Sequence, residues 1–417
     1  LKMISTILSK IRHPLVANSF YLYLAHFADY LLALLILPFI ARVLGPEELG
    51  YVGLAQTFGI FILLIMEFGF PLMATREVAR EKNNPEKIKV LIGQIFSFKL
   101  FLIPVILILS TIVILMVPVF HENPHYVFIV VMGSIFQGMV PTWYFQGIEK
   151  LSTVAFSKTI FRFLGFSLIF LFVSSNQDGW IVLLAYMISS ICICLYLFKY
   201  MINIIGPFHL AGRSSIKAMW QKSKNSFFIT ILPVIYNNLS VIVMSIIVSP
   251  LQLGFYYGAA RIHRALNTLY GPVGQAFYPR LASTDSGNPE KAKQMTKKFL
   301  WIMTAAGFLF FSMIYFFTEP IIFLLLGEEF LFASTTLKIF AMVLPLTAIS
   351  HVLGRQWLMI RRNDNQYAKI LLISSIIGVI SIFILIRSYG ILAIPISLII
   401  YELLTIILIL GFLKRAR

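Results

Sequence analysis

The chain has 417 residues, 59% of them hydrophobic and only 12% charged, with a mean hydropathy of +0.88. A soluble domain carries roughly twice that charge fraction, so this much apolar surface cannot hide in one aqueous core and the chain reads as an integral membrane protein. Its span-length apolar runs show no period-2 alternation, which excludes an outer-membrane barrel and leaves helices as the way to satisfy the backbone in lipid.

In chain order, the lead-in "LKMISTILSKIRHP" is basic and amphipathic and lacks a small-residue cleavage site. It reads as a cytoplasmic approach to the membrane rather than a cleaved signal peptide. Hydropathy then predicts twelve helices, over 15–43, 48–73, 90–120, 126–147, 152–174, 179–201, 223–249, 252–280, 299–318, 335–360, 366–388 and 390–413. The first carries Asp29, on one face with His26 at i, i+3. The second carries Glu67 near its inner end. Lys99 sits at the inner end of the third and reads as a cation that snorkels to the interface. Arg162 lies mid-way along the fifth. Cys192 and Cys194 point to different faces of the sixth and read as core residues without a metal or redox role. His351 and Arg355 are spaced i, i+4 on the tenth, and Glu402 lies midway along the twelfth.

The eighth helix is the most informative. Across and just before "AARIHRALNTLYGPVGQ" (259–275), the residues Tyr257, Arg261, Arg264, Thr268, Gly271 and Gln275 recur at alternating steps of four and three, which places them on one helical face. Arg261 falls near the bilayer centre, where an arginine costs about 3 kcal/mol on insertion scales. It should therefore face water or a partner. Pro272 predicts a kink.

Basic residues set the orientation. With the N-terminus inside, most of the 34 Lys and Arg fall in inner connections such as "REVAREKNNPEKIK", "RLASTDSGNPEKAKQMTKK", "RRNDNQYAK" and "KRAR". The outer connections hold Arg42 and Arg387 against a majority of Glu and Asp. Both termini are expected in the cytoplasm, and the net charge of +17 follows from topology without nucleic acid as a partner. The outer connections are short and carry no catalytic motif, so an enzyme is not expected.

The chain is duplicated. "NNPEKIK" at 83–89 recurs as "GNPEKAK" at 287–293, and at the same offset Pro46, Leu49 and Gly50 recur as Pro250, Leu253 and Gly254. An offset of six helices preserves orientation, giving two parallel six-helix repeats, with lobes at 1–206 and 207–417 around a central cavity. Intramembrane arginines at 162, 261, 264 and 355 outnumber the acids Asp29, Glu67 and Glu402, so the cavity suits an anion. Arginine's planar fork matches phosphate oxygens. Tyr257 and Gln275 would join the arginines in binding. Asp29, Glu67 or Glu402, buried in the membrane, would be able to take up and release a coupling proton.

The stretches "LGPEELG" (44–50), "EFGFPLMATREVA" (67–79), "PTWYFQGIEK" (141–150) and "AARIHRALNTLYGPVGQAFYPRLAS" (259–283) resemble the Wzx-type O-antigen flippases. These are polysaccharide exporters within the multidrug/oligosaccharidyl-lipid/polysaccharide exporter superfamily. The resemblance implies an all-α, polytopic, MATE-like protein of the bacterial inner membrane. It implies transport of an undecaprenyl-diphosphate-linked oligosaccharide repeat unit to the periplasmic leaflet by alternating access. It further implies no cofactor or metal, a proton or sodium gradient as the driving force, and an O-antigen polymerase and chain-length regulator as neighbours in the same process. The alternatives are a multidrug antiporter, whose cavity should be acid-rich, a peptidoglycan-precursor flippase, which usually has two more helices, and, from another class, an O-antigen polymerase or ligase, which needs a large outer loop.

Overall fold

The computed structural model describes residues 14–361 and 363–415. Side chains are described from Leu35 on, except for a set concentrated in 228–240 and 272–286. The lead-in 1–13 lies outside the described residues. All regular structure among them is helical: α1 (Pro14–Glu67), α2 (Phe70–Arg80), α3 (Pro85–Met116), α4 (Pro118–Glu122), α5 (Pro124–Met139), α6 (Thr142–Gly147), α7 (Leu151–Phe172), α8 (Gly179–Ile205), α9 (Arg213–Met244), α10 (Pro250–Thr268), α11 (Tyr270–Gly287), α12 (Pro289–Phe316), α13 (Thr318–Leu325), α14 (Ser334–His351), α15 (Asp364–Tyr389) and α16 (Ala393–Arg415). Short 3-10 turns cover Glu328–Ala333 and Gly390–Leu392, and a π-helical segment covers Val352–Leu358. The outer connection expected as a loop at 318–334 is therefore α13 and a 3-10 turn.

Eight stretches among the described residues are long and apolar enough to cross a membrane. The difference from twelve has two sources. The 50-residue stretch Asn365–Lys414 holds two expected spans, divided at Gly390 (φ +51°), and the 46-residue stretch Leu35–Arg80 holds the second expected span together with only the end of the first, across Gly45 (φ +73°). In addition, α9 and α10–α11 are outside the eight, and these carry Lys217, Lys222, Lys224, Arg261 and Arg264.

The duplicated motif builds the same local structure twice. Asn84 and Asn288 each precede a proline at the first helical turn, and each side chain accepts a hydrogen bond from a backbone N–H three residues on, Lys87 at 3.2 Å and Lys291 at 2.9 Å. Proline tolerates that position because its missing N–H has no intrahelical partner there, and the asparagine satisfies one of the remaining free donors.

The chain forms two compact units. One runs up to Ile36 and from Tyr51 to Ile235; the other comprises Leu37–Gly50 and Tyr236–Arg417. These differ from the sequence division at residue 206, because most of α9 belongs to the first unit. In that unit Phe68, at φ +41°, gathers an aromatic knot. Its ring lies 4.5 Å from Phe227 and 4.9 Å from both Trp220 and Phe98, which fastens α9 to the turn between α1 and α2. The connection before α8 closes on Asp178, whose carboxylate accepts from the backbone N–H groups of Ser174 and Ser175 at 2.8 Å each. These bonds hold its carboxyl below the ordinary range.

In the second unit, residues 37–50 pack on α10 and α13. The Arg42 guanidinium donates to the carbonyls of Phe323 and Leu324 at 3.3 and 2.8 Å, a cation at the carbonyl end of α13. The repeated Pro-x-x-Leu-Gly motifs meet face to face. A Cβ on Gly50 would overlap the Pro250 carbonyl oxygen, and one on Gly254 would overlap that of Pro46. Neither obstacle is a flexible side chain, so the backbone itself would have to move. Gly254→Ala should cost roughly 1–3 kcal/mol by overpacking, seen as a lower melting temperature in detergent. An unchanged melting temperature would show that the two motifs do not approach this closely.

Candidate functional site

A cavity of about 530 Å³ lies in the second unit, lined by Tyr270, Gly274, His351, Arg355, Gln356 and Tyr367 among others. Two features of α14 and its continuation create it. After His351 the helix widens into the π segment, whose extra residue per turn re-aims the side chains that follow. Gly354 then comes against the ring of Tyr367, and Gly274 lies where a Cβ would be 2.6 Å from the Gln356 amide nitrogen. The missing side chains leave room. Most of the wall is apolar. Arg355 is exposed, while Gln356 is buried and its Oε1 has no hydrogen-bond partner.

Behind this wall Glu402 of α16 is 6% exposed. Its carboxylate accepts from Thr347 Oγ1 at 3.0 Å and from Ser350 Oγ at 2.5 Å. The donors are three residues apart on α14 and so lie on one face. A buried carboxyl needs such partners. Tyr367, which lines the cavity, is within electrostatic range of both Arg355 and Glu402.

The arginine face of α10 is arranged differently from the sequence expectation. Tyr257 is buried, Arg261 half-buried and Arg264 exposed. The helix ends at Thr268, and a new one starts at Tyr270. The cause is Pro272, which has no N–H to give the carbonyl of Thr268 four residues back. The hydrogen-bonded helix is therefore broken at Leu269, although Leu269 itself keeps helical φ/ψ (−64°, −23°). Gly271 instead lines the 530 Å³ cavity, which Arg261 and Arg264 do not, and the Gln275 side chain lies outside the described ones. His263, next to Arg264, is buried with its ring stacked 4.8 Å from Phe340 and its Nδ1 without a partner.

In the first unit Arg162 lines a small cavity of about 30 Å³ with Gln137, Lys158, Tyr186, Ser189 and Ser190. Lys99 does not snorkel. It is 1% exposed and donates to the carbonyl of Gly138, with the rings of Phe70 and Phe96 at 5.7 and 5.9 Å. A buried ammonium held by a carbonyl and two ring faces avoids the cost of an isolated charge. Glu67, half-buried at the end of α1, is within electrostatic range of Lys99 and Lys158. Asp29 is on α1, but its side chain lies outside the described ones. Among the described residues no group of three His, Cys, Asp or Glu is placed to hold a metal, and both cysteines are free.

Sequence reasoning missed Thr347, Ser350, Gln356 and Tyr367. A hydroxyl pair at i, i+3 on one apolar helix, with an acid on another, was the available signal for the first two.

Residues 15–285 match the family model described as polysaccharide biosynthesis protein. A protein of Escherichia coli (strain K12) named "Putative O-antigen transporter" is 26% identical over 402 residues, covering 95% of this chain and 96% of that protein. A protein of the same name from Shigella dysenteriae is 25% identical, covering 95% and 99%. Among solved structures, the lipid II flippase MurJ in an inward closed conformation superposes with a TM-score of 0.68 at 15% identity, covering 96% of this chain and 87% of that one. An inward-facing multidrug resistance MATE family transporter of the MOP superfamily gives 0.64 at 15% identity, covering 93% of each. At these identities the two structures establish the fold, which is that of the MATE-like helical transporters expected from the sequence.

Proposed function

The chain belongs to the polysaccharide biosynthesis protein family, and from that premise we propose that it is a flippase carrying a lipid-linked oligosaccharide repeat unit across the bacterial inner membrane. The observation that carries this reading is the 530 Å³ cavity with apolar walls and the exposed Arg355 guanidinium. A guanidinium offers a bidentate fork to phosphate oxygens, and apolar walls suit the part of a substrate next to a prenyl chain. The undecaprenyl-diphosphate end is held at Arg355, with Arg261 and Arg264 on α10 as further cations. The cavity opens to one leaflet and then the other. Both termini face the cytoplasm, in line with the basic bias of the inner connections. A proton or sodium gradient drives the cycle through Glu402, Glu67 or Asp29 without a cofactor. The O-antigen polymerase and chain-length regulator receive the product.

The test is reconstitution. Liposomes holding the purified chain should move a lipid-linked oligosaccharide between leaflets and return it chemically unchanged, and the gene should restore surface glycan to a flippase-deleted strain. Polymerised glycan or released undecaprenyl diphosphate from the pure protein would replace the flippase reading with the enzyme one.

A further inference from the structure

The sequence singled out the basic segments "EKAKQMTKK", "RRNDNQYAK" and "KRAR" as separate markers of one membrane face. In the second unit Lys293 and Lys297 of the first and Arg361 of the second line a cavity of about 340 Å³, and Leu413, just before the third, joins them. Lys293 and Lys297, one turn apart on α12, form one side. Arg361 and Trp357 form the other, with the guanidinium 4.0 Å from the ring centroid. Leu300, Leu353 and Leu413 supply an apolar floor. This cavity shares no lining residue with the Arg355 cavity, although the π segment contributes to both walls.

The charges here do not cancel. Glu290 pairs with Lys293 at 3.6 Å, and Asp285 pairs with Arg361 at 3.6 Å. Lys297 has no carboxylate within ion-pair distance among the described residues, and Lys298 and Lys414 flank the site on the exposed surface. The Thr296 hydroxyl is taken by the Ala292 carbonyl at 3.0 Å. A surplus cation therefore sits over an apolar floor, beside a tryptophan of the kind that settles at the membrane interface. Trp301 and Ile302 follow on α12 and are 67% and 64% exposed, as lipid-facing side chains are. Nothing in the oligosaccharide cycle uses these groups.

We propose that this cavity binds the phosphate of an anionic phospholipid, with Lys297 and Arg361 on the phosphate and an acyl chain along Leu300, Leu353 and Leu413. The chemistry recognised is a phosphate ester joined to apolar chain. A free phosphate would satisfy the cations and leave the floor bare. A zwitterionic headgroup would set its own cation against Lys297.

The test counts lipids on the purified full-length protein by native mass spectrometry after exchange into detergent containing phosphatidylglycerol, phosphatidylcholine or inorganic phosphate. One phosphatidylglycerol should survive per chain, and phosphatidylcholine should not. Lys297→Ala and Arg361→Ala should each weaken retention about fivefold, the worth of one cation near an anionic surface. Arg361→Lys should be intermediate. Lys298→Ala, outside the cavity, should match wild type and serves with melting temperature as the control for folding. The proposal fails if Lys298→Ala loses as much lipid as Lys297→Ala, if phosphatidylcholine is held equally, if inorganic phosphate binds as tightly as the lipid, or if the paired cavity variants retain phosphatidylglycerol while folded.

Discussion

Arg355→Ala should reach the membrane in wild-type amount and cut surface glycan tenfold or more in a strain that depends on this chain. Two structural facts set that expectation. Arg355 is exposed to its cavity, and no carboxylate lies within ion-pair distance of it among the described residues. Its removal therefore leaves no acid buried and unpaired, which is the usual source of large losses when one partner of an ion pair is deleted. Under the proposed function, the loss would then be the contact with the substrate phosphate. A hydrogen bond to a charged group is worth about 1.5–3 kcal/mol, or roughly 10- to 100-fold in affinity. Arg355→Lys keeps the charge but loses the planar fork, so it should fall between the two. Arg264, exposed at the end of the α10 face, should behave in the same direction. Arg261 is half-buried and takes part in interactions with its neighbours, so part of its effect should appear as reduced protein amount. Surface glycan and membrane protein must be measured together for each variant. Full glycan from Arg355→Ala at normal amount would remove Arg355 from the binding site and leave the fold untouched.

The helices and the duplication were legible because each rests on a local rule. Apolar length marks a span, and Asn-Pro-Glu-Lys marks a capped helix start wherever it occurs, so the copies at 84 and 288 were readable without the fold. The cap hydrogen bonds are what those rules require. Arg355, conspicuous in the sequence as an intramembrane arginine with a histidine one turn away, lines the 530 Å³ cavity together with that histidine, and its role there is what the Arg355 variants test. What could not be read depends on contacts distant in sequence. Lys99 looks like any interfacial lysine until the Gly138 carbonyl and the rings of Phe70 and Phe96 are placed around it. The π segment has no composition of its own. It shows only once Gly354 is against Tyr367 and Gly274 is against Gln356. The break at Leu269 follows from the kink expected at Pro272. Pro272 marks the kink in the sequence, but the bond it removes is to a carbonyl four residues earlier, and the helix ends there. Gly271, just past that break, lines the Arg355 cavity, which Arg261 and Arg264 do not.

Glu402→Gln should insert in normal amount, transport more slowly, and lose its acceleration by an imposed ion gradient. The carboxylate accepts two hydroxyl hydrogen bonds, from Thr347 and Ser350, in a site where its side chain is almost wholly buried. Glutamine keeps one acceptor oxygen and the shape but cannot take up or release a proton or carry charge for a sodium ion. One of the two donors has a second acceptor at hand, because the Ser350 hydroxyl also reaches the Thr347 carbonyl at 3.2 Å. The loss of stability in Glu402→Gln should therefore be small. Glu402→Leu removes both acceptors, and an unsatisfied buried hydroxyl costs about 1–3 kcal/mol, so that variant should fall in amount as well as in activity. The pair of substitutions separates the two roles an intramembrane acid can have. If Glu402 only fastens α16 to α14, Glu402→Gln transports with wild-type gradient dependence and only Glu402→Leu is impaired. If it carries the coupling ion, Glu402→Gln equilibrates substrate between leaflets at a rate that no longer responds to the gradient. Transport in liposomes with and without an imposed proton or sodium gradient decides between them. A gradient response retained by Glu402→Gln would pass the coupling role to Glu67 or Asp29.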